Sequence, residues 1–383
     1  MKPRSEKPSG AGLRPAGFDA GVLFLSPEPP LAGSGGGGLR SASLLEYLRR
    51  NDSVDVLDFA LRPHSKSFAA KAWRNSLRLL RGVPPLFDRY SGYEAQLAAR
   101  MGEAKYTLGV VEHFWCASYA PLLRARCRTL VLDLHNIESD LARTHALAAR
   151  WPASWASGRF AEAYQRLERE WLPQFDVVLV ASEEDGRHIE HPRVIVYPNA
   201  LPEIDRPEVP EEDCIVFSGN LEYHPNIEAV RWFRSEIWPR IRERSPAVEW
   251  RLIGKNPEAV ARWTSGDEQI RVIGPVEDSV AEIARAKVAV VPLLSGSGTR
   301  FKILEAWAAQ RAVVSTPIGA AGLGARDGEH LLLAEGAGAL AAAVLRLLED
   351  APLRTKLGQA GRARYLDQFT WPVGWKMLSE AGI

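Results

Sequence analysis

Apolar residues gather in short runs that alternate with stretches of helical spacing along most of the chain. Runs of strand length occupy residues 20–25, 54–59, 107–111, 130–134 and 177–181. The first run is followed by a Pro- and Gly-rich stretch, then by a helical pattern from Leu39 with Leu44, Leu45 and Leu48 on one face. Residues 199–213 break the alternation, because Pro202, Pro207 and Pro210 stand there among acidic side chains, the composition of a linker. The pattern restarts at 214–217 and continues through 248–253, 270–273, 288–292, 312–315 and 331–333. Strands alternating with helices predict parallel sheets covered on both faces. The expected fold is α/β, with two doubly wound halves facing each other across a cleft. At the end of the chain Thr370 reads as a helix cap, Pro372 falls in the first turn, and Trp371, Trp375 and Leu378 form an apolar face. The expected organisation is a disordered tail (1–18), a doubly wound N-terminal domain (19–198), a linker (199–213), a doubly wound C-terminal domain (214–366) and a last helix (367–383).

Charge then removes several classes of function. Forty-eight Lys and Arg against 47 Asp and Glu leave a net charge of +1, without the basic excess that binding a phosphate backbone needs, so nucleic acid is not an expected partner. Cys116, Cys127 and Cys214 are too scattered for a disulfide framework or a zinc site, and a cytoplasmic location is the expectation. No run approaches the ~18 apolar residues that crossing a bilayer takes. The neutral average hides a basic stretch: residues 61–87 hold Arg62, Lys66, Lys71, Arg74, Arg78 and Arg81 and no acid. Trp73, Leu77 and Leu80 share one helical stripe there, and Lys71, Arg74, Arg78 and Arg81 another. Two readings stand side by side: a helix that lies on an anionic membrane surface or binds an acidic acceptor, and a solvated basic face over an ordinary core stripe. On the first, the protein is peripheral to the inner face of the cytoplasmic membrane.

The segment with the most chemistry runs from Val290 to Trp307. An apolar strand enters Gly296 and Gly298, and a helix is expected to start near Thr299. The first turn of a helix normally carries acids, because its free N–H groups form the positive end of the dipole. Here it carries Arg300 and Lys302, an arrangement that an anion such as a phosphate or pyrophosphate relieves. Glu305, about one and a half turns further on, could accept both hydroxyls of a ribose diol, or could pair with Lys302 at i, i+3.

Three weaker signals accompany it. Residues 33–38 match Gly-x-Gly-x-x-Gly, with Asp58 at the spacing of a ribose-binding acid, yet residues 26–32 separate the strand from the first glycine. The loop therefore reads as an NAD site, as a loop approaching a phosphate or sugar across the cleft, or as a flexible linker. His135, in Asp133-Leu-His-Asn-Ile-Glu138, follows a strand where ligands of parallel sheets bind, and either orients a leaving group or is structural; Asn136 is a candidate helix cap. His113 is similarly placed. Asp-x-Asp, His-Glu-x-x-His and Gly-x-Ser-x-Gly motifs are absent, and no metal is expected.

Taken together, Ser218-Gly-Asn-Leu-Glu-Tyr-His-Pro-Asn226, Val272-Ile-Gly-Pro-Val-Glu-Asp278, Gly296-Ser-Gly-Thr-Arg-Phe-Lys-Ile-Leu-Glu-Ala306 and Val313-Val-Ser-Thr-Pro-Ile-Gly319 resemble the C-terminal half of family 4 retaining glycosyltransferases. The resemblance spans residues 20–383 and is strongest over 214–320. It implies a GT-B architecture of two Rossmann-like domains, with the acceptor on the N-terminal one, the nucleotide-sugar donor on the C-terminal one, and a last helix crossing back to the N-terminal domain. By the family pattern Glu305 holds the ribose, Arg300 and Lys302 the pyrophosphate, and Gly298 and Thr299 face the donor sugar. Gly274 and Val276 flank the base, Gly219 lines the donor site, Gly37 and Gly38 approach the phosphate, and His135 is directed at the donor sugar. Ser297 stands where family members often carry a Glu that contacts the sugar hydroxyls, and the Arg and Lys that many place after the first C-terminal strand are absent from residues 219–226. The implied activity is metal-independent hexosyl transfer, without a cofactor, from a nucleoside-diphosphate sugar to a hydroxyl of a glycan, lipid-linked or polysaccharide precursor. Two alternatives are an idle nucleotide-sugar binder, suggested by Ser297, and an NAD(P)-dependent oxidoreductase, suggested by residues 33–38.

Overall fold

A computed structural model describes residues 21–27, 30, 36–63, 65, 67–148, 151–295 and 301–383. The tail at 1–18 lies outside them, as do residues 33–35 of the first glycine-rich stretch. Two six-stranded sheets, parallel throughout, form the framework. The first contains β1 (Val22–Leu25), β2 (Val54–Leu57), β3 (Tyr106–Glu112), β4 (Cys127–Asp133), β5 (Val177–Val180) and β6 (Val194–Val196) in the order β2-β1-β3-β4-β5-β6. The second contains β7 (Glu212–Ser218), β8 (Glu249–Ile253), β9 (Ile270–Ile273), β10 (Ala286–Val291), β11 (Ala312–Ser315) and β12 (Leu332–Leu333) in the order β12-β11-β10-β7-β8-β9. In each sheet the winding reverses beside the first strand, between β1 and β3 and between β7 and β10, which opens a crevice at the carboxyl ends of those strands.

The strands read as apolar runs because helices cover both of their faces. One face of the first sheet packs Val22, Phe24 and Val177 against Leu44, Leu45 and Leu48 of the Gly36–Asn51 helix. Leu378 of the last helix, Trp371–Glu380, joins the same core. That helix is tied down by Trp375 Nε1 donating to the Ser43 carbonyl (3.0 Å), by Tyr47 donating to the Ile383 carbonyl (2.6 Å), and by Gly374, where a Cβ would come 2.9 Å from the Tyr197 ring. The second sheet has its own core, in which Trp238, Trp250 and Trp307 are fully buried.

Several boundaries differ from the sequence pattern for identifiable reasons. β7 begins at Glu212, inside the stretch read as linker, because Glu212 ion-pairs with Arg251 of β8 and with Arg285 (3.3 Å). Leu201 is buried and forms a β-bridge to Thr370. Thr370 occupies the N-cap position, but its side chain makes no capping hydrogen bond. The first long helix starts at Gly36 rather than Leu39, and the helix expected near Thr299 is described over Phe301–Ala308.

Candidate active site

The crevice of the first sheet is lined by charge. Ser26 follows β1, Glu112 ends β3, Asp133 ends β4, and His135 lies two residues beyond; all four are buried. Arg40 reaches them from the Gly36–Asn51 helix. Its Nε lies 3.0 and 2.9 Å from the two Asp133 carboxylate oxygens, Nη2 also donates to Asp133, and Nη1 donates to the Tyr197 carbonyl and to Asn199 Oδ1 (3.2 Å). Ser26 donates to Glu112 Oε2 (2.7 Å). His135 Nε2 stands 3.4 Å from Asp133 Oδ2 and 3.7 Å from Glu112 Oε1, too far or too oblique for a hydrogen bond, so both Nε2 and Glu112 Oε1 are buried without one. Burial alone would pull the imidazole down, but the two carboxylates hold His135 above its ordinary range. Burial would raise Asp133, and the charges of Arg40 and His135 reverse this and hold it well below the carboxylate range.

His113 adds a strained element, with φ at +62°. That turn places its ring between Trp115 (centroids 4.2 Å) and His135 (3.7 Å). Burial and the neighbouring His135 push His113 well below the usual histidine range. Glu112, Asp133 and His135 bring ligand atoms within 4.8 Å of one another, a spacing that could hold a metal. Both oxygens of Asp133 are already taken by Arg40, so this donor set fits a guanidinium. On the other side of the imidazole, a Cβ on Gly37 would lie 3.5 Å from His135 Nδ1, so the first turn of the helix meets the histidine at Gly37, with Gly38 next in the same turn. Leu39 in the same turn packs against the core of the second sheet, which brings this turn between the two halves.

In the second sheet, Glu305 projects from the Phe301–Ala308 helix toward the end of β7. Its Oε2 accepts from Ser218 (3.1 Å) and its Oε1 from Ser279 (2.9 Å). Burial raises the Glu305 carboxyl above its ordinary range, and Ser279, Lys302 and Ser218 offset part of the rise. Lys302 Nζ lies 5.3 Å from the Phe217 ring centroid. Gly219 explains how the ammonium fits: its φ is +136°, and a Cβ there would come 2.3 Å from Lys302 Nζ. Gly254, at the end of β8, is equally constrained, since a Cβ would fall 1.7 Å from the Gly219 carbonyl oxygen. The structure thus brings Gly219, Lys302 and Glu305 together. Gly274 and Val276 follow β9 on the outer side of β8, with open space around Gly274. Ser297, Gly298, Thr299 and Arg300 lie outside the described residues. Ser295, just before them, is anchored by donating to Glu228 (2.8 Å).

Other candidates are placed elsewhere. Asp58 ion-pairs with Arg100 (2.6 Å), so its carboxylate is engaged. The basic stretch forms the Phe68–Arg81 helix. Lys71, Arg74 and Arg81 form no ion pair among the described residues, whereas Arg78 turns to Asp88 (2.7 Å), so the four do not share one exposed face. Sequence reasoning missed Arg40, Glu112, Ser279 and Glu228 altogether.

Comparison with known proteins bears on the fold and on the C-terminal half. Residues 212–350 match the family Glycosyl transferases group 1. Over 141 residues the chain is 32% identical to a phosphatidyl-myo-inositol mannosyltransferase of Mycobacterium leprae, a match covering 35% of this chain and 37% of that protein. The chain therefore matches only about a third of the length of such curated relatives. Among solved structures, a sucrose-phosphate synthase from Thermosynechococcus elongatus superposes with a TM-score of 0.71 at 17% identity, covering 95% of this chain and 98% of that one. Anabaena Alr3699/HepE, solved in complex with UDP-glucose, gives 0.64 at 15%, covering 94% and 98%. The chain has the GT-B fold, and residues 212–350 of its C-terminal half are similar to glycosyl transferases group 1.

Proposed function

We propose that this protein is a retaining glycosyltransferase of the family 4 type, moving a sugar from a nucleoside diphosphate to a hydroxyl acceptor. The observation that carries the reading is the cluster at the winding reversal of the second sheet, where Glu305, held by Ser218 and Ser279, stands one turn from Lys302 seated on Gly219. A carboxylate and an ammonium so spaced suit the ribose diol and the diphosphate of one ligand. UDP-glucose in Alr3699/HepE and UDP-2-fluoro glucose in the E. coli trehalose-6-phosphate protein, both structural neighbours, support this choice.

As the glycosidic bond breaks, negative charge develops on the departing diphosphate, and Lys302, Arg300 and the helix N–H groups stabilise it there. His135 would meet the donor sugar from the opposite half, its ring steadied by Asp133, Glu112 and the backbone of Gly37. On the resemblance, the leaving phosphate takes the acceptor proton on the same face, so no protein nucleophile is needed and configuration is retained. No metal enters the scheme. The engagement of Asp58 with Arg100 counts against the oxidoreductase alternative.

The test is release of free nucleoside diphosphate from UDP-, GDP- and ADP-hexoses, with alkyl glycosides and extracted lipids as acceptors and NMR of the product anomer. Acceptor-dependent release with retained configuration supports the proposal. Binding without release would make the protein an idle binder, and inversion would remove the retaining assignment.

A further inference from the structure

We infer that the Phe68–Arg81 helix and the tip of the helical hairpin formed by Glu138–Ala148 and Ala153–Trp171 make a docking surface for an anionic lipid bilayer. The inference does not rest on the transferase reading. The helix is a firmly bounded element: Ser67 Oγ accepts from the Ala70 N–H (3.3 Å), and Gly82 closes it in the left-handed conformation. Its exposed side mixes cations with large apolar groups, Lys71 and Arg81 with Trp73 and Leu80. Arg78 turns inward to Asp88, while Trp73 and Leu80, seven residues apart and so on one face, are 67% and 84% exposed.

The adjacent hairpin repeats the feature. Its second helix reaches the end of the first element, where a Cβ on Gly82 would lie 2.8 Å from Arg166 Nη2. Around its tip Leu147, Trp151 and Trp155 are 85%, 82% and 56% exposed. These five are the most exposed large apolar side chains among the described residues, two on the Phe68–Arg81 helix and three at the end of the hairpin whose second helix packs against it. Scattered exposed apolar residues are ordinary, but a concentration of this kind marks an interaction surface.

Charge and side-chain chemistry select the occupant. Lys71, Arg74 and Arg81 are without an ion pair among the described residues, and no acid occurs from 61 to 87. Three of the five apolar groups are tryptophans, whose amphipathic rings suit the headgroup boundary, and cations beside them suit anionic headgroups. No described helix is long and apolar enough to cross a membrane, so the contact would be interfacial.

Flotation of the full chain with phosphatidylcholine vesicles, with and without phosphatidylglycerol, tests this. Flotation with the phosphatidylglycerol vesicles at low salt is expected, weakening as salt rises. The pair Trp73→Ala and Leu80→Ala should reduce it tenfold or more, Trp151→Ala with Trp155→Ala likewise, and Lys71→Gln, Arg74→Gln and Arg81→Gln together should remove the preference for anionic lipid. Unchanged melting temperatures establish that the variants fold. Absence of flotation at low salt, flotation indifferent to the Trp73 and Leu80 changes, or a dimer in sedimentation that those changes abolish would overturn the inference, the last by assigning the surface to a second copy.

Discussion

The guanidinium of Arg40 takes both carboxylate oxygens of Asp133, 93 positions later in the chain, and the His135 imidazole stands 3.4 Å from the same carboxylate. All three are buried, so the pair cannot fall back on water. Removing one partner of a buried ion pair typically costs about 3–5 kcal/mol, because the other charge is stranded. Arg40→Met should therefore lower stability by roughly that amount in urea unfolding, and Arg40→Lys should recover less than half, since an ammonium cannot serve both oxygens as a fork does. An unchanged unfolding midpoint would contradict this account of the crevice.

Glu138 offers a test by pH. Burial pushes its carboxyl up to about 7, with the Trp115 Nε1–H hydrogen bond (2.9 Å) opposing the rise and Glu168 adding to it. The folded state holds this proton more tightly than the unfolded chain does. Its contribution to stability is therefore complete below the unfolded value and is lost as pH rises from about 4.5 through about 7. Glu138→Gln should flatten that part of the pH profile of unfolding free energy in urea, by up to ~3 kcal/mol. A mutant profile parallel to wild type would show that this carboxyl does not titrate in the folded protein as described.

Gly219 and Lys302 should behave as one unit. A methyl group on Gly219 would stand 2.3 Å from Nζ and displace the ammonium from the end of β7. Lys302→Ala should lower kcat by about 10²–10³-fold, as removal of one transition-state charge contact does, and Arg300→Ala should fall in the same range. Gly219→Ala should approach the Lys302→Ala loss in a donor-turnover assay, while EDTA leaves the rate unchanged. Full activity in Gly219→Ala would mean that the seat on Gly219 is irrelevant to turnover.

Glu305 is predicted to act on donor binding. Replacing its charge with Glu305→Gln weakens charge-assisted hydrogen bonds worth about 1.5–3 kcal/mol, so the donor KM should rise roughly 10- to 100-fold with kcat changed far less. Ser218→Ala and Ser279→Ala should raise KM by smaller factors, because each removes one hydrogen bond that aims the carboxylate. A kcat loss at constant KM would assign Glu305 a different role.

The extent to which the sequence disclosed this site follows from what local patterns can carry. Core strands are nearly continuous apolar runs, and β11 begins and ends where its run does, as does the edge strand β9 despite its exposed Arg271. β6 leaves no readable run, because it has only three residues, all half-buried, in the short segment between Pro192 and Pro198. Glu305, Lys302 and Gly219 were legible because unusual charge at a helix start and family motifs mark them. Arg40 carries no such mark: within its own helix it is an unremarkable cation, and only the fold brings it to Asp133. Glu112 was overlooked beside the more conspicuous His113, although both lie at the carboxyl end of β3. The exposed face of the Phe68–Arg81 helix was invisible for a related reason, since periodicity separates an apolar from a basic stripe without showing which one the protein covers.

Thermal-shift titration of the wild-type chain and Glu305→Ala with UDP-, GDP- and ADP-sugars, beside NAD and NADP, tests the central claim most directly, because a ligand that binds the folded state raises its melting temperature by mass action. The account predicts a concentration-dependent rise with at least one nucleoside-diphosphate sugar, abolished by Glu305→Ala, and none with the nicotinamide cofactors. A rise with NAD or NADP alone, or a nucleotide-sugar shift that survives Glu305→Ala undiminished, would contradict it.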